Sequence, residues 1–354
     1  MNALTIEDRI IAPGNPVFVI AEIGVNHDGS LARALELVEI AAAAGADAVK
    51  LQIFQATALI HPAARLADYQ SERVQDTSPT QMLRRYELPS LELAKIVGAI
   101  RDVGMVPLAT PFSVADVDTI AALGLPALKI ASPDAVNYPL LRAAAALGEP
   151  LIISTGAATM EELIPTCNWL EEWNAEYALL HCVSSYPVPE SSAHLAWIGQ
   201  LAETFDVPAG YSDHTTNTYA GALATAAGAC LIEKHLTYDR SASGPDHAAS
   251  SDPAEFVEYV RLIRQAQTLL GCGTKHVLSI ESDVRTLSRQ SLVAARDIPA
   301  GHVIAESDLL VQRPGMGICA SQYPQIVGQR TACAIPAGTM LQHTMLAKAM
   351  SHAA

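Results

Sequence analysis

The sequence predicts an α/β chain, a (β/α)8 TIM barrel followed by a small β-rich domain. Three observations carry that expectation. Short β-branched or apolar runs alternate eight times with longer Ala/Leu stretches of helical period, and eight alternations over about 270 residues match such a barrel in count and length. No G-x-G-x-x-G follows the first strand, which removes the main support for an open doubly wound sheet. After Gly271-Cys272-Gly273 the helical period stops, and Ile298-Pro299-Ala300-Gly301 recurs as Ile335-Pro336-Ala337-Gly338. Pro followed by Gly sets a turn, so its repetition points to a small pseudo-symmetric β domain.

In chain order the expected strands are Val17–Ile23, Ala48–Phe54, Val106–Thr110, Ala127–Ser132, Leu151–Ser154, Tyr177–Val183, Val207–Ser212 and Cys230–Leu236. Helical stretches follow them, among them Leu31–Ala44, Met160–Trp173 and Pro253–Leu270. The second strand is followed by a long connection from Gln55 to about Pro89 that carries Asp68-Tyr69-Gln70. Long barrel loops at that end are functional or mobile, so it reads as a lid. The expected division is a barrel domain over 1–272, a polar linker or single helix over 273–288, and the β domain over 289–354. A domain of about 65 residues is marginally stable alone, so this one is expected to pack on another surface.

The 354 residues carry Lys+Arg 22 against Asp+Glu 37, a formal net charge of −15, and are 50% hydrophobic with 17% charged. That apolar content supplies a large core and excludes a disordered chain. The acidic balance argues against nucleic acid or an anionic membrane as partner, since both need a basic face. The six cysteines show no C-x-x-C pair, the N-terminus lacks a signal-peptide pattern, and no apolar run is long enough to span a bilayer. A reduced, cytoplasmic protein is expected.

In a (β/α)8 barrel, active-site groups cluster at the C-terminal ends of the strands. Polar residues accumulate there: Glu22, Lys50 and Gln52, Thr110, Lys129 and Ser132, Ser154, Ser184 and Tyr186, Ser212 and His214, then Glu233 and His235. Strand period puts Lys50 with Gln52, Ser212 with His214, and Glu233 with His235 on shared faces. One buried lysine would most simply pair with a carboxylate such as Glu22. Two lysines ringed by serines favour an anion, and a phosphate or carboxylate fits best. His214 and His235, at matching depth on neighbouring strands, can reach one metal, although two imidazoles alone are a weak signal. Mixed imidazole, water and substrate-oxygen ligation suits Mn²⁺ first, with Mg²⁺ and Co²⁺ as alternatives. The remaining histidines noted, His27 among them, read as surface or structural. Asp246 and Arg313, each in a turn-like loop, carry nothing in isolation.

Taken together, these stretches resemble the sialic acid synthase family. The resemblance runs through Ala21-Glu22-Ile23-Gly24-Val25-Asn26-His27-Asp28-Gly29, Ala46-Asp47-Ala48-Val49-Lys50-Leu51-Gln52, Thr110-Pro111-Phe112-Ser113, Lys129-Ile130-Ala131-Ser132 and Ser154-Thr155-Gly156. It continues through Leu180-His181-Cys182, Tyr186-Pro187, Gly210-Tyr211-Ser212-Asp213-His214-Thr215, Glu233-Lys234-His235 and Gly244-Pro245-Asp246-His247. The tail, with Arg313-Pro314-Gly315, resembles the family's antifreeze-like (SAF, β-clip) domain.

The resemblance implies condensation of phosphoenolpyruvate (PEP) with an N-acetylated aldose to a nine-carbon 2-keto-3-deoxy acid. It implies a PEP site of Lys50, Gln52, Thr110, Lys129, Ser132, Ser154, Ser184 and Ser212, with a divalent metal on His214 and His235. Glu22 would lie beside the reacting centre and share proton handling with Glu233. Tyr186 and Asp246 would contact the sugar, and Arg313 would arrive from the partner of a domain-swapped homodimer. Asp134 stands where neuraminate-forming members carry Glu, one methylene shorter toward the sugar, and Ser184 stands where Asn is usual. The loops around Asp68 and Asp246 look more like the neuraminate/legionaminate branch than the pseudaminate one. Two other readings stay open: a PEP-dependent octulosonate or heptulosonate phosphate synthase, and a catalytically silent carbohydrate-binding homologue.

Overall fold

The computed structural model describes residues 3–66, 76 and 78–347; Asp68-Tyr69-Gln70, expected as a lid, lies outside them. The described chain divides into two compact units, Met1–Cys272 and Gly273–Ala354.

The first unit opens with an antiparallel hairpin, β1 (Leu4–Ile6) and β2 (Arg9–Ile11). Eight parallel strands follow: β3 (Phe18–Glu22), β4 (Ala48–Ile53), β5 (Val106–Pro111), β6 (Leu128–Ile130), β7 (Leu151–Ser154), β8 (Tyr177–Cys182), β9 (Ala209–Asp213) and β10 (Leu231–His235). They close in the order β10-β3-β4-β5-β6-β7-β8-β9, a complete (β/α)8 barrel. The fourth barrel strand is shorter than its apolar run, because Pro133 opens a single 3-10 turn over Ser132–Asp134.

Local chemistry explains the helices. Ser30 accepts from Arg33 N to start Leu31–Ala44, and Gly45 ends it at φ 80°, a left-handed conformation that glycine adopts without strain. Its buried residues Ala34, Leu37, Val38 and Ala41 recur at helical spacing on the face against the sheet. Asp252 and Glu255 form a capping box at the start of Pro253–Leu270, with Pro253 in the first turn, where its missing N–H is no loss.

Inside the barrel, Phe18, Ile20, Val106, Leu108, Ile152 and Leu180 fill the lower layers. The same cluster contains Leu4, Ile6 and Ile11, so the hairpin plugs the N-terminal mouth. The sequence reading missed this element, since three-residue strands are too short to show a period.

The second unit holds a short helix, Ser282–Ser288, and the antiparallel pair β11 (Ser291–Ala294) and β12 (Leu309–Gln312). Its repeated tetrapeptides face each other across a local two-fold: Ile298 and Ile335 exchange both backbone hydrogen bonds at 2.8 Å. Gly301 N donates to Thr331 O as Gly338 N does to Ala294 O, and both glycines turn through positive φ, 77° and 78°. The turn chemistry of the repeat thus builds a pseudo-symmetric core of Leu292, Ile298, Ile304, Ile335 and Leu341.

Candidate active site

Strand register decides which polar side chains meet at the barrel mouth. Glu22 at the end of β3 pairs in register with Lys50 on β4 and with His235 on β10. Gln52 pairs with Thr110 on β5, and Ser212 on β9 with Glu233 on β10. All of these side chains except Gln52 are buried.

Two lysines converge there on one carboxylate. Lys50 Nζ lies 2.6 Å from Glu22 Oε2 and 3.2 Å from Glu233 Oε2, and donates to Thr110 Oγ1 at 3.2 Å. Lys129 Nζ donates to Ser154 Oγ at 2.6 Å and to Ile130 O at 3.0 Å, and sits 3.9 Å from Glu233 Oε1. Ser212 Oγ donates to that same Glu233 oxygen at 3.0 Å. Gln52 Nε2 and Gly24 N both donate to Glu22 Oε1, at 3.3 and 2.6 Å. The single-lysine expectation of an ion pair with Glu22 therefore holds for Lys50, while the pair of lysines is bridged by Glu233. Burial pulls Lys50 down to about 8 against the pull of Glu233. Burial alone would raise Glu233, but Lys129 and Lys50 outweigh it and hold it at about 2, so it is fully ionised.

A wall of hydroxyls continues beyond Lys129. Ser132 Oγ accepts from Gly156 N at 3.0 Å. A Cβ on Gly156 would fall on Ser184 Oγ and come within 2.9 Å of Ser132 Oγ and 3.1 Å of Cys182 Sγ. The glycine thus lets three strand ends approach one another, and brings exposed Ser184 beside Ser132.

The imidazoles come next around the barrel, at the ends of β9 and β10. His214 and His235 have ring centroids 5.4 Å apart, and Tyr186 packs on His214 at 4.1 Å. His214 Nδ1 donates to Val183 O at 2.9 Å, which orients the ring; burial would lower its pKa, but Cys182 and that carbonyl outweigh burial and raise it above its ordinary value. His235 Nδ1 is buried without a hydrogen bond among the described residues, 3.8 Å from Asp246 Oδ2. Burial, then His214 and Lys50, push His235 well below its ordinary value, so it stays neutral and fit to ligate. Among the described residues no group of three or more His, Cys, Asp or Glu is placed to hold a metal. Two imidazoles alone would need water and substrate oxygens to complete a metal's coordination.

Of the residues expected to contact the sugar, Tyr186 and Asp246 lie beside these imidazoles. Asp134 is half-buried, and its Oδ1 accepts from Asn137 Nδ2 at 2.8 Å. Burial pushes its carboxyl above the ordinary value against that bond. Arg313 is exposed on the second unit, in a loop anchored where Ser291 Oγ donates to Pro314 O at 2.6 Å.

Sequence reasoning missed several supporting groups. Cys182 Sγ lies 3.8 Å from His214 Nδ1. Lys234 and Asp213 pair behind the sheet at 3.0 Å. His247 Nε2 contacts Asp28 Oδ1 at 3.0 Å and ties down the loop that carries Asp246. His27, expected as surface or structural, is structural: it is buried, and its Nδ1 accepts from Gly29 N at 3.0 Å. Alternation along the strand would have flagged Lys234 and Asp213 as the outward neighbours of the site residues; loop histidines offer no such periodic signal.

The same division of the chain appears in comparisons with known proteins. The NeuB family model matches residues 37–275 and the SAF domain model residues 289–347. The N,N'-diacetyllegionaminic acid synthase of Legionella pneumophila is 39% identical over 92% of this chain and 93% of its own length. The Campylobacter jejuni protein of that name is 38% identical over 88% and 94%. Among solved structures, the N-acetylneuraminic acid (sialic acid) synthetase of Leptospira borgpetersenii, in complex with citrate, is 32% identical. It covers 80% of this chain and 95% of its own, with a TM-score of 0.73. Barrel and tail are each matched by a family model, and the two synthases run the length of both: the chain belongs to the NeuB family and carries a C-terminal SAF domain.

Proposed function

We propose that this chain condenses PEP with an open-chain N-acetylated aldose, of the N-acetylmannosamine or 2,4-diacetamido-6-deoxy type. The product is a nine-carbon 2-keto-3-deoxy sugar acid, and phosphate is released. The observation that carries this reading is the convergence of Lys50 and Lys129 on Glu233 within a ring of hydroxyls, beside two imidazoles. The legionaminic acid relatives favour the 2,4-diacetamido acceptor.

Lys50 and Lys129 are balanced by Glu22 and Glu233, and an incoming phosphate and carboxylate would take over the lysines as partners. Gln52, Thr110, Ser132, Ser154, Ser184 and Ser212 orient those anionic groups, so catalysis is chiefly positioning and fixed electrostatics. The PEP methylene carbon bonds to the aldehyde carbon, whose oxygen takes up a proton. Positive charge left at the phosphate-bearing carbon is quenched by water, which loses its proton as it adds. The C–O bond to phosphate then breaks and the ketone forms. Glu233, ionised and fixed by Ser212, is placed to accept the proton from that water, and Glu22 Oε2 shares proton handling at the mouth. His214 Nε2 and His235 would hold a divalent cation, Mn²⁺ before Mg²⁺ or Co²⁺, which polarises the aldehyde carbonyl as a Lewis acid. Tyr186, Asp246 and Asp134 orient the sugar, and Arg313 completes the site from the partner subunit of a swapped homodimer. Cys167, Cys182 and Cys230 are buried free thiols, which supports a reducing, cytoplasmic setting.

The test is phosphate release from PEP with a panel of acceptors: N-acetylmannosamine, its 2,4-diacetamido-6-deoxy analogues, and phosphorylated aldoses. Release with an acetamido sugar alone supports this reading. Release only with a phosphorylated aldose replaces it with the phosphosugar synthase, and silence across the panel with the binding homologue. Chelation should stop release and Mn²⁺ restore it; undiminished turnover after chelation removes the metal from the scheme.

A further inference from the structure

Behind the two imidazoles, on the helix side of the sheet, lies a buried network that touches neither substrate nor metal. In β9 and β10, Ser212 and Glu233 point into the barrel, and period-two alternation sends Asp213 and Lys234 outward. These two are register partners and bond across the strands, Lys234 Nζ to Asp213 Oδ2 at 3.0 Å. Tyr259 OH, on the helix Pro253–Leu270, donates to the same oxygen at 2.8 Å, and its ring lies 5.2 Å from Lys234 Nζ. Gly221 makes room for it, since a Cβ there would come within 2.6 Å of the Tyr259 ring. Lys234 and Asp213 are each 1% exposed and Tyr259 is fully buried.

The network also brackets His214. Asp213 Oδ1 accepts from Thr215 N at 2.8 Å, and Lys234 Nζ donates to Thr215 O. Lys234 itself immediately precedes His235. One ion pair therefore fixes the backbone on both sides of one imidazole and next to the other. Stability alone does not require charge here, because well-packed apolar side chains often replace a buried ion pair without loss. What the pair adds is a fixed relation between two neighbouring strands.

We propose that Asp213, Lys234 and Tyr259 are positioning residues that set the spacing and depth of His214 and His235, and through them metal affinity. The inference rests on the reading that these imidazoles hold the metal. The test is titration of Mn²⁺ into metal-stripped, full-length protein, followed by calorimetry, for wild type, His214→Ala, Lys234→Met and Tyr259→Phe. Thermal melts of each variant run alongside. Partners that orient metal ligands typically contribute ten- to a hundredfold in affinity, so Lys234→Met and Tyr259→Phe should weaken Mn²⁺ binding about tenfold in folded protein with an unchanged KM for PEP. Tyr259→Phe removes a single hydroxyl and keeps the test open if Lys234→Met fails to fold. A merely structural role lowers the melting temperature and leaves Mn²⁺ affinity alone, and that result overturns the proposal. A His214→Ala variant that binds Mn²⁺ like wild type, or a wild type that binds none, overturns instead the metal reading beneath it.

Discussion

Lys129 is 2% exposed and among the described residues has no carboxylate closer than 3.9 Å, which makes it the less compensated of the two lysines. A buried ammonium held mainly by a hydroxyl and a carbonyl is poised to gain from an arriving anion. Lys129→Ala is accordingly expected to lower phosphate release by roughly a hundredfold or more; release within a few-fold of wild type would remove the residue from the PEP site. His27 offers a separate test of residue chemistry. Burial lowers it from 6.5 to about 4 although Asp28 pulls the other way, and its Nδ1 accepts a backbone hydrogen bond that protonation there would break. The unfolded chain binds the proton first, so stability is lost as pH falls from the ordinary value toward 4, by about 3 kcal/mol in all. Urea melts of His27→Gln across that range should show a shallower pH dependence than wild type; parallel curves would contradict the assignment.

At the scale of elements, the site depends on strand ends approaching more closely than side chains normally allow. Gly156 follows β7, and its missing Cβ is the space shared by Ser132, Ser184 and Cys182. Gly156→Ala would push those three groups apart while leaving most of the barrel core untouched. The expected outcome is a KM for PEP raised about tenfold, since small displacements of positioned groups are costly, with the melting temperature changed little. A steady-state titration beside a thermal melt separates this from simple misfolding, and an unchanged KM would show that the hydroxyl wall does not hold PEP. The N-terminal hairpin acts at the other end of the strands. It closes the floor with Leu4, Ile6 and Ile11, and so keeps water from the lower face of the layer that carries the lysines.

At the scale of the whole molecule, the proposed swapped dimer makes each site composite, with Arg313 supplied in trans. Complementation tests this without truncating the chain. Lys129→Ala and Arg313→Ala, each inactive alone, should regain about a quarter of wild-type phosphate release when unfolded together and reassembled, because half of the dimers then contain one intact site. Mixtures as inactive as their components would refute the exchange. The pseudo-symmetry of the second unit, built on the Ile298–Ile335 pair, suits such a role, because a small reciprocal core presents its loops from a rigid base.

Much of this architecture was written in one dimension. Alternation of β-branched runs with Ala/Leu stretches located every barrel strand, and the repeated tetrapeptide foretold the two-fold of the tail. Period two along single strands likewise put Lys50 with Gln52 and Glu233 with His235 on shared faces. What only the tertiary structure decided is who else meets whom: that Glu233 lies between Lys50 and Lys129, and that Lys234 grips Asp213 behind them. The physical reason is that side-chain direction is a local property of a strand. Partnership across strands is set by register and by barrel closure, which brings β10 against β3 only once the whole ring has formed.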